Sequence, residues 1–118
     1  MIIINIPELA PGMNALMRMH FRTYGKLRDK WKLMLMAETR AKVLGPCEIF
    51  IDRYYASQPL DLDNLWSSCK IPLDAMRGAG IIPDDNTKIV TSLKCDQFKV
   101  ANRAEQRTQI VIRDPQAR

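Results

Sequence analysis

The apolar residues of this chain fall into blocks whose spacing changes along the sequence, and each change predicts a new element. Residues 2–6 (Ile2-Ile3-Ile4-Asn5-Ile6) form a β-branched block closed by Pro7, the pattern of a short buried strand. Residues 7–14 contain two prolines, which remove donors and fix φ, and so predict a loop. From about residue 24 to 44 the period becomes helical. Leu27, Trp31, Met34, Leu35 and Ala41 recur at spacings of three and four, and Gly45-Pro46 supplies the stop. Leu33, Met36 and Ala37 widen the apolar surface beyond one stripe, which opens part of this helix to a second subunit as well as to the sheet.

Residues 47–55 carry apolar side chains on both alternating faces, Ile49 and Ile51 on one and Phe50 and Tyr54 on the other, as an internal strand does. A turn-rich stretch, 56–60, follows. Asp63 can cap a second helix with Leu65, Trp66, Cys69, Leu73 and Met76 at helical spacing and Gly78 to Gly80 at its end. Pro72 inside that helix either kinks it or begins a new turn after a break. Residues 88–95 and 108–113 read as strands joined by the polar stretch 99–107, and residues 114–118 are expected to fray. The order β-loop-α-β-α-β-β predicts an α+β fold. Two main helices would pack on a small mixed sheet of about four strands, in a single domain spanning residues 1–118.

Composition narrows the class. A chain of 118 residues, 47% hydrophobic, buries roughly two-thirds of its unfolded surface and needs neither disulfides nor a structural metal. Three cysteines without a C-x-x-C spacing predict reduced thiols. No apolar run approaches the roughly 20 residues of a membrane span, and the first residues lack a basic leader. A cytoplasmic protein with no membrane partner is expected.

The net charge is +5, unevenly distributed. Residues 60–86 hold five acids against two bases, a net of −3, leaving +8 for the remainder. Carboxylates repel phosphate unless a cation lies between them, so this pattern points to metal-dependent phosphate chemistry on a nucleic-acid-binding body. Other chemistries are excluded. His20 is the only histidine, Gly25-Lys26 lacks the rest of a phosphate loop, and Gly78-Ala79-Gly80 lacks the third glycine of a dinucleotide fingerprint. No acid stands two residues before a lysine, which removes the [DE]-x-K element of many metal nucleases.

Asp61 and Asp63 remain, with Asp85 lying 22 residues after Asp63. In an extended segment Asp61 and Asp63 would face one side and Leu62 the core. A turn through Gly80 and Pro83 would return Asp84-Asp85 toward the sheet with a third carboxylate. Three hard oxygen ligands suit Mg²⁺ or Mn²⁺. Lys70, seven residues after Asp63, would lie about 10 Å along a regular helix on the same face. Its ammonium could offset charge on a phosphoryl transition state. Singly, these residues have ordinary structural roles: a helix cap, a turn, a solvated lysine. Their conjunction carries the reading.

At these positions the chain resembles the RusA family of Holliday junction resolvases. Asp61-Leu62-Asp63-Asn64, Lys70 with Asp74-Ala75-Met76, and Gly80-Ile81-Ile82-Pro83-Asp84-Asp85 are similar to the family's D-x-D-N, K-x-x-x-D-A/G-L and G-x-x-x-D-D elements in order. Pro11-Gly12-Met13-Asn14 is similar to its P-S-x-N element. The resemblance implies a RusA-like homodimer that makes paired nicks in four-way DNA with Mg²⁺ or Mn²⁺. In that role Asp61, Asp63 and Asp85 would be metal ligands, Lys70 the catalytic lysine and Asp84 a supporting residue. The spacing from Asp63 to Lys70 exceeds the family's by three residues, so Ser67 competes for the lysine's place. Arg18, Arg22, Lys26 and Lys30 are candidates for phosphate contact, with a solvated basic helix face as the alternative. A noncatalytic nucleic-acid-binding or DNA-packaging accessory protein of the same fold is the alternative function.

Overall fold

The isoleucine block forms strand β1 (Ile2–Ile6) in the computed structural model of the protein, which describes residues 1–114. Alternation buries Ile4 and Ile6 and leaves Ile3 and Asn5 exposed. With β2 (Cys47–Tyr55), β3 (Val90–Lys99) and β4 (Arg107–Arg113) it makes one mixed sheet in the order β1-β4-β2-β3. β4 runs antiparallel to both β1 and β2, and β2 runs parallel to β3. The register aligns Ile4, Ile110 and Ile51 in one row and Ile112 and Ile49 in the next. These residues share a core with Trp31, Leu35, Ile71 and Met76 from two helices, α2 (Phe21–Glu38) and α4 (Lys70–Gly78). Two shorter helices, α1 (Met13–Met17) and α3 (Leu62–Ser67), complete the α+β fold, and a 3-10 turn precedes β4.

The long helix keeps its predicted stripe at Leu27, Trp31, Met34 and Leu35, but it spans 21–38 rather than 24–44. Thr39 is extended and its hydroxyl accepts the Ala41 N–H, while the Val43 N–H donates to the Ile81 carbonyl. Residues 39–46 therefore leave the helix to lie against the chain beyond α4, and Ala41 is exposed outside it. Leu33 and Met36 remain exposed on α2. The predicted loop 7–14 ends in the short helix α1, and β3 begins and ends later than the predicted 88–95. Of the tail expected to fray, residues 115–118 lie outside the described residues.

The second predicted helix is two helices. α3 ends at Ser67, residues 68–69 turn, and α4 starts at Lys70, with Pro72 in its first turn. An amide there has no intrahelical acceptor, so proline costs nothing and marks a fresh start. α4 ends in a Schellman motif: Ile81 N–H donates to Met76 O at 3.0 Å and Gly80 N–H to Arg77 O at 3.1 Å. Gly80 has φ of +75°, which glycine adopts without steric cost.

One end of the covered sheet face is polar. The row Ile6–Thr108–Arg53–Gln97 follows the isoleucine rows, and each polar member holds a loop. The Thr108 hydroxyl accepts the Ala10 N–H (3.0 Å) and donates to the Glu8 carbonyl (2.7 Å). Arg53 Nε donates to the Ala10 carbonyl (3.2 Å). The Gln97 amide exchanges two hydrogen bonds with the Leu60 backbone, at 2.9 and 2.8 Å. The segments leading into Pro11-Gly12-Met13-Asn14 and into Asp61 are thereby fastened to adjacent strands.

The opposite face is uncovered by helices and sets Asp52 of β2 directly across from Asp96 of β3. Burial raises the Asp52 carboxyl above its ordinary range, and the Asp96 charge adds to the shift. Thr108→Val should leave the Ala10 N–H and Glu8 carbonyl unpaired and lower stability by about 1–3 kcal/mol, read as a lower denaturant midpoint with unchanged slope. Asp52→Asn should raise stability at neutral pH by about 0.5 kcal/mol, because the wild-type charge is disfavoured in the folded state. The penalty exists above the native Asp52 pKa and is relieved as pH falls through it. Thermal melts should therefore converge toward acid pH.

Candidate functional site

The candidate site is assembled where α1 meets α3. The Asn64 side chain is buried, and its Oδ1 accepts the Asn14 N–H at 3.0 Å. One turn later the Ser67 hydroxyl accepts the Met13 N–H at 2.8 Å. Both amides belong to the first turn of α1, where no intrahelical acceptor exists, so α3 caps α1 from outside its own sequence. The approach is close: a Cβ on Gly12 would lie 3.1 Å from Asn64 Cβ and 3.2 Å from its carbonyl oxygen. Glycine stands in this motif for lack of space, not for an unusual φ.

Asp61 is the last extended residue before α3, and Asp63 lies in its first turn. The two carboxylates share a helix start, where the macrodipole favours negative charge. They do not lie on one side of a strand as expected. The helix begins at Leu62, so that side chain points away from the core and is 77% exposed. Among the described residues the Asp61 carboxylate has no hydrogen-bond partner, and Asp63 Oδ1 accepts only the adjacent Asn64 N–H (2.9 Å). In donor chemistry and accessibility this pair fits a hard divalent cation.

Asp85 is placed by the turn after Gly80. Asp84 Oδ1 accepts the Asp85 N–H at 2.7 Å and its Oδ2 accepts Asn86 Nδ2 at 3.2 Å, which braces the corner. The Asp85 N–H is the leading cause that holds the Asp84 carboxyl below its ordinary range. Asp85 itself pairs with Arg77 Nη1 of α4 at 3.5 Å. Among the described residues no three His, Cys, Asp or Glu side chains are gathered closely enough to hold a metal ion. Asp61 and Asp63 are neighbours, and Asp85 does not join them in this arrangement.

Lys70 is the first residue of α4, separated from Asp63 by the break at 68–69, so the two do not share a helical face as expected from their spacing. The Lys70 ammonium lies 3.3 Å from Asp74 Oδ2 and 5.5 Å from the Tyr24 ring centroid. The Tyr24 hydroxyl donates to the same Asp74 oxygen. Burial, followed by that carboxylate, pushes the Tyr24 hydroxyl pKa up. The Cys69 thiol donates to the Trp66 carbonyl at 2.8 Å, and neighbouring Cys95 of β3 is the leading influence that lowers the Cys69 thiol pKa, while Cys69 in turn raises that of Cys95. The Ser67 hydroxyl is committed to the backbone of Met13, Asp63 and Asn64, whereas Lys70 keeps an exposed ammonium.

Arg18, Arg22, Lys26 and Lys30 are all exposed, and Lys30 pairs with Glu8. A separate recess of about 190 Å³ between α2 and α4 is lined by Arg28, Lys32, Arg77 and Asp74. These three cations and Tyr24 were missed in the sequence. The available signal was the acid–base spacing of Asp74 with Lys70 and Arg77 on one helix, which implies that α4 presents a charged face to whatever packs beside it.

Replacing Asn64 by Ala should remove the acceptor of the part-buried Asn14 amide and lower stability by about 1 kcal/mol. Hydrogen exchange should show the loss as faster exchange at the start of α1 with little change in the β4 amides. Comparison with models of known protein families and with curated proteins finds no match to this chain.

Proposed function

We propose that this protein is a metal-dependent, structure-selective DNA endonuclease of the RusA type. It nicks four-way or branched DNA as a cytoplasmic homodimer in recombination and repair. The observation that carries the reading is the clamp of Asn64 and Ser67 on the Met13 and Asn14 amides. It joins two of the segments on which the resemblance rests, at the start of the helix bearing Asp61 and Asp63. A motif set that merely coincided by chance would have no reason to pack together.

Asp61 and Asp63 would hold Mg²⁺ or Mn²⁺, which supplies a Lewis acid and an activated water for phosphodiester hydrolysis. The Asp85 carboxylate is held by a partly exposed ion pair, worth about 0–1 kcal/mol, so a phosphate on Arg77 would free that carboxylate for a cation. Lys70, steadied by Asp74 and Tyr24, offers a cation to the charge that develops on the phosphoryl oxygens. The second reading is a noncatalytic DNA-binding protein of the same architecture, which requires only exposed basic side chains such as Arg18, Arg22 and Lys26.

Cleavage of a synthetic four-way junction in Mg²⁺ or Mn²⁺ separates the two. The endonuclease reading expects paired nicks in wild type, at least a hundredfold loss in Asp63→Asn with junction affinity kept or increased, and a smaller rate loss in Lys70→Ala. Junction binding without nicking in either metal would leave the noncatalytic reading.

A further inference from the structure

A groove of about 370 Å³ lies between α1 and the start of α2 and opens beside the candidate site. Met13, Leu16, Met17, Phe21 and Tyr24 line it, with Ser67 and Lys70 at one side. Leu16 and Tyr24 pack partly on the core, but the fold leaves Met17 77% and Phe21 73% exposed. Such a cluster on a protein surface marks a contact site. Asp74 meets it from α4 through Tyr24 and Lys70, but the segment that forms its α1 and α2 walls carries charge of one sign. Residues 13–28 contain Arg18, Arg22, Lys26 and Arg28 and no acid. The Arg22 guanidinium carbon lies 5.8 Å from the Phe21 ring centroid, and the His20 ring lies 4.3 Å from it.

We propose that this groove receives one unstacked nucleobase of a branched DNA, its flanking phosphates meeting Arg22 and Lys70. The inference rests on the DNA-binding part of the reading above and adds the feature of the substrate that is recognised. A flat apolar ligand with an anionic backbone suits an aromatic ring and polarizable thioethers inside a cationic rim. A fully stacked duplex offers no free base face to such a groove, whereas a branch point does. The volume lies toward the low end of the roughly 300–1,000 Å³ found for small-ligand clefts, as a single base requires. Lys70 borders both the groove and the Asp74–Tyr24 cluster, so a base seated here would bring its own phosphates to the candidate site.

The test is a binding titration of the full chain in EDTA, where no strand is cut. It uses a four-way junction, the same junction with abasic sites at the branch-point nucleotides, and a linear duplex. Wild type should bind the intact junction about tenfold more tightly than the abasic one. Phe21→Ala should lose about tenfold on the intact junction and less than twofold on the abasic junction and the duplex, in line with one lost stacking contact. Phe21→Trp should restore binding. Phe21 is exposed, so its truncation leaves the core intact. Equal losses on all three DNAs, no loss on any, or a Phe21→Ala effect on oligomeric state in sedimentation would each overturn the proposal. Wild type that binds no DNA at all overturns both it and the functional reading. Wild type that nicks junctions but ignores the abasic sites overturns this proposal alone.

Discussion

The polar row Thr108–Arg53–Gln97 is the constraint on which the arrangement of the candidate site depends. The isoleucine rows beside it bury apolar surface and would tolerate many loop paths, because apolar contact has no direction. A buried hydroxyl and guanidinium and a half-buried amide are different. Each must find hydrogen-bond partners or carry the cost of desolvation. Here the Thr108 hydroxyl, Arg53 Nε and the Gln97 amide take the backbone groups of Glu8, Ala10 and Leu60, while Arg53 Nη1 carries the desolvation cost. Two loops distant in sequence are thereby brought to the same end of the sheet, and the Asn64 and Ser67 clamp follows from their proximity.

Beyond that anchor the site is organised by charge. The acids of residues 60–86 have different environments. Asp61 and Asp63 face solvent at a helix start, Asp74 binds Lys70 and Tyr24, and Asp85 faces Arg77. Two of the acids are thus offset by the only two bases of the same stretch, both carried on α4. The net charge of −3 is concentrated on the residues that remain, and the surrounding positive charge lies on α2 and the α1–α2 junction. A polyanion attracted by the latter meets the former unless a cation intervenes. Both ion pairs are partly exposed, so they orient their groups without locking them.

The strands and the main helices were legible because their signal is short-range. β1 is a block of isoleucines broken only at Asn5, Ile110 and Ile112 recur at every second position in β4, and Leu27, Trp31 and Leu35 repeat at helical spacing in α2. The errors occur where a local feature had to be weighed against a distant one. The end of α2 at Thr39 depends on a backbone bond from Val43 to Ile81, 38 residues away. Pro72 is equally compatible in sequence with a kink or a start, and the break at 68–69 directly follows Ser67, whose hydroxyl is held by the Met13 amide 54 residues away. Leu62 reads as a core residue in an extended segment, but a helix beginning one residue after Asp61 turns it outward.

What the sequence determined by itself was therefore the inventory: an α+β fold, the positions of four strands, and a set of carboxylates and a lysine whose order resembles one family's motifs. Those follow from short-range pattern, since the period of apolar residues selects helix or strand within a few residues. What only the tertiary structure decided was which groups face one another: Asn64 with Asn14, Tyr24 with Asp74, Arg77 with Asp85. Such pairings depend on strand order, register and helix breaks. These emerge from satisfying buried polar groups across the whole chain, and no window of sequence contains that requirement.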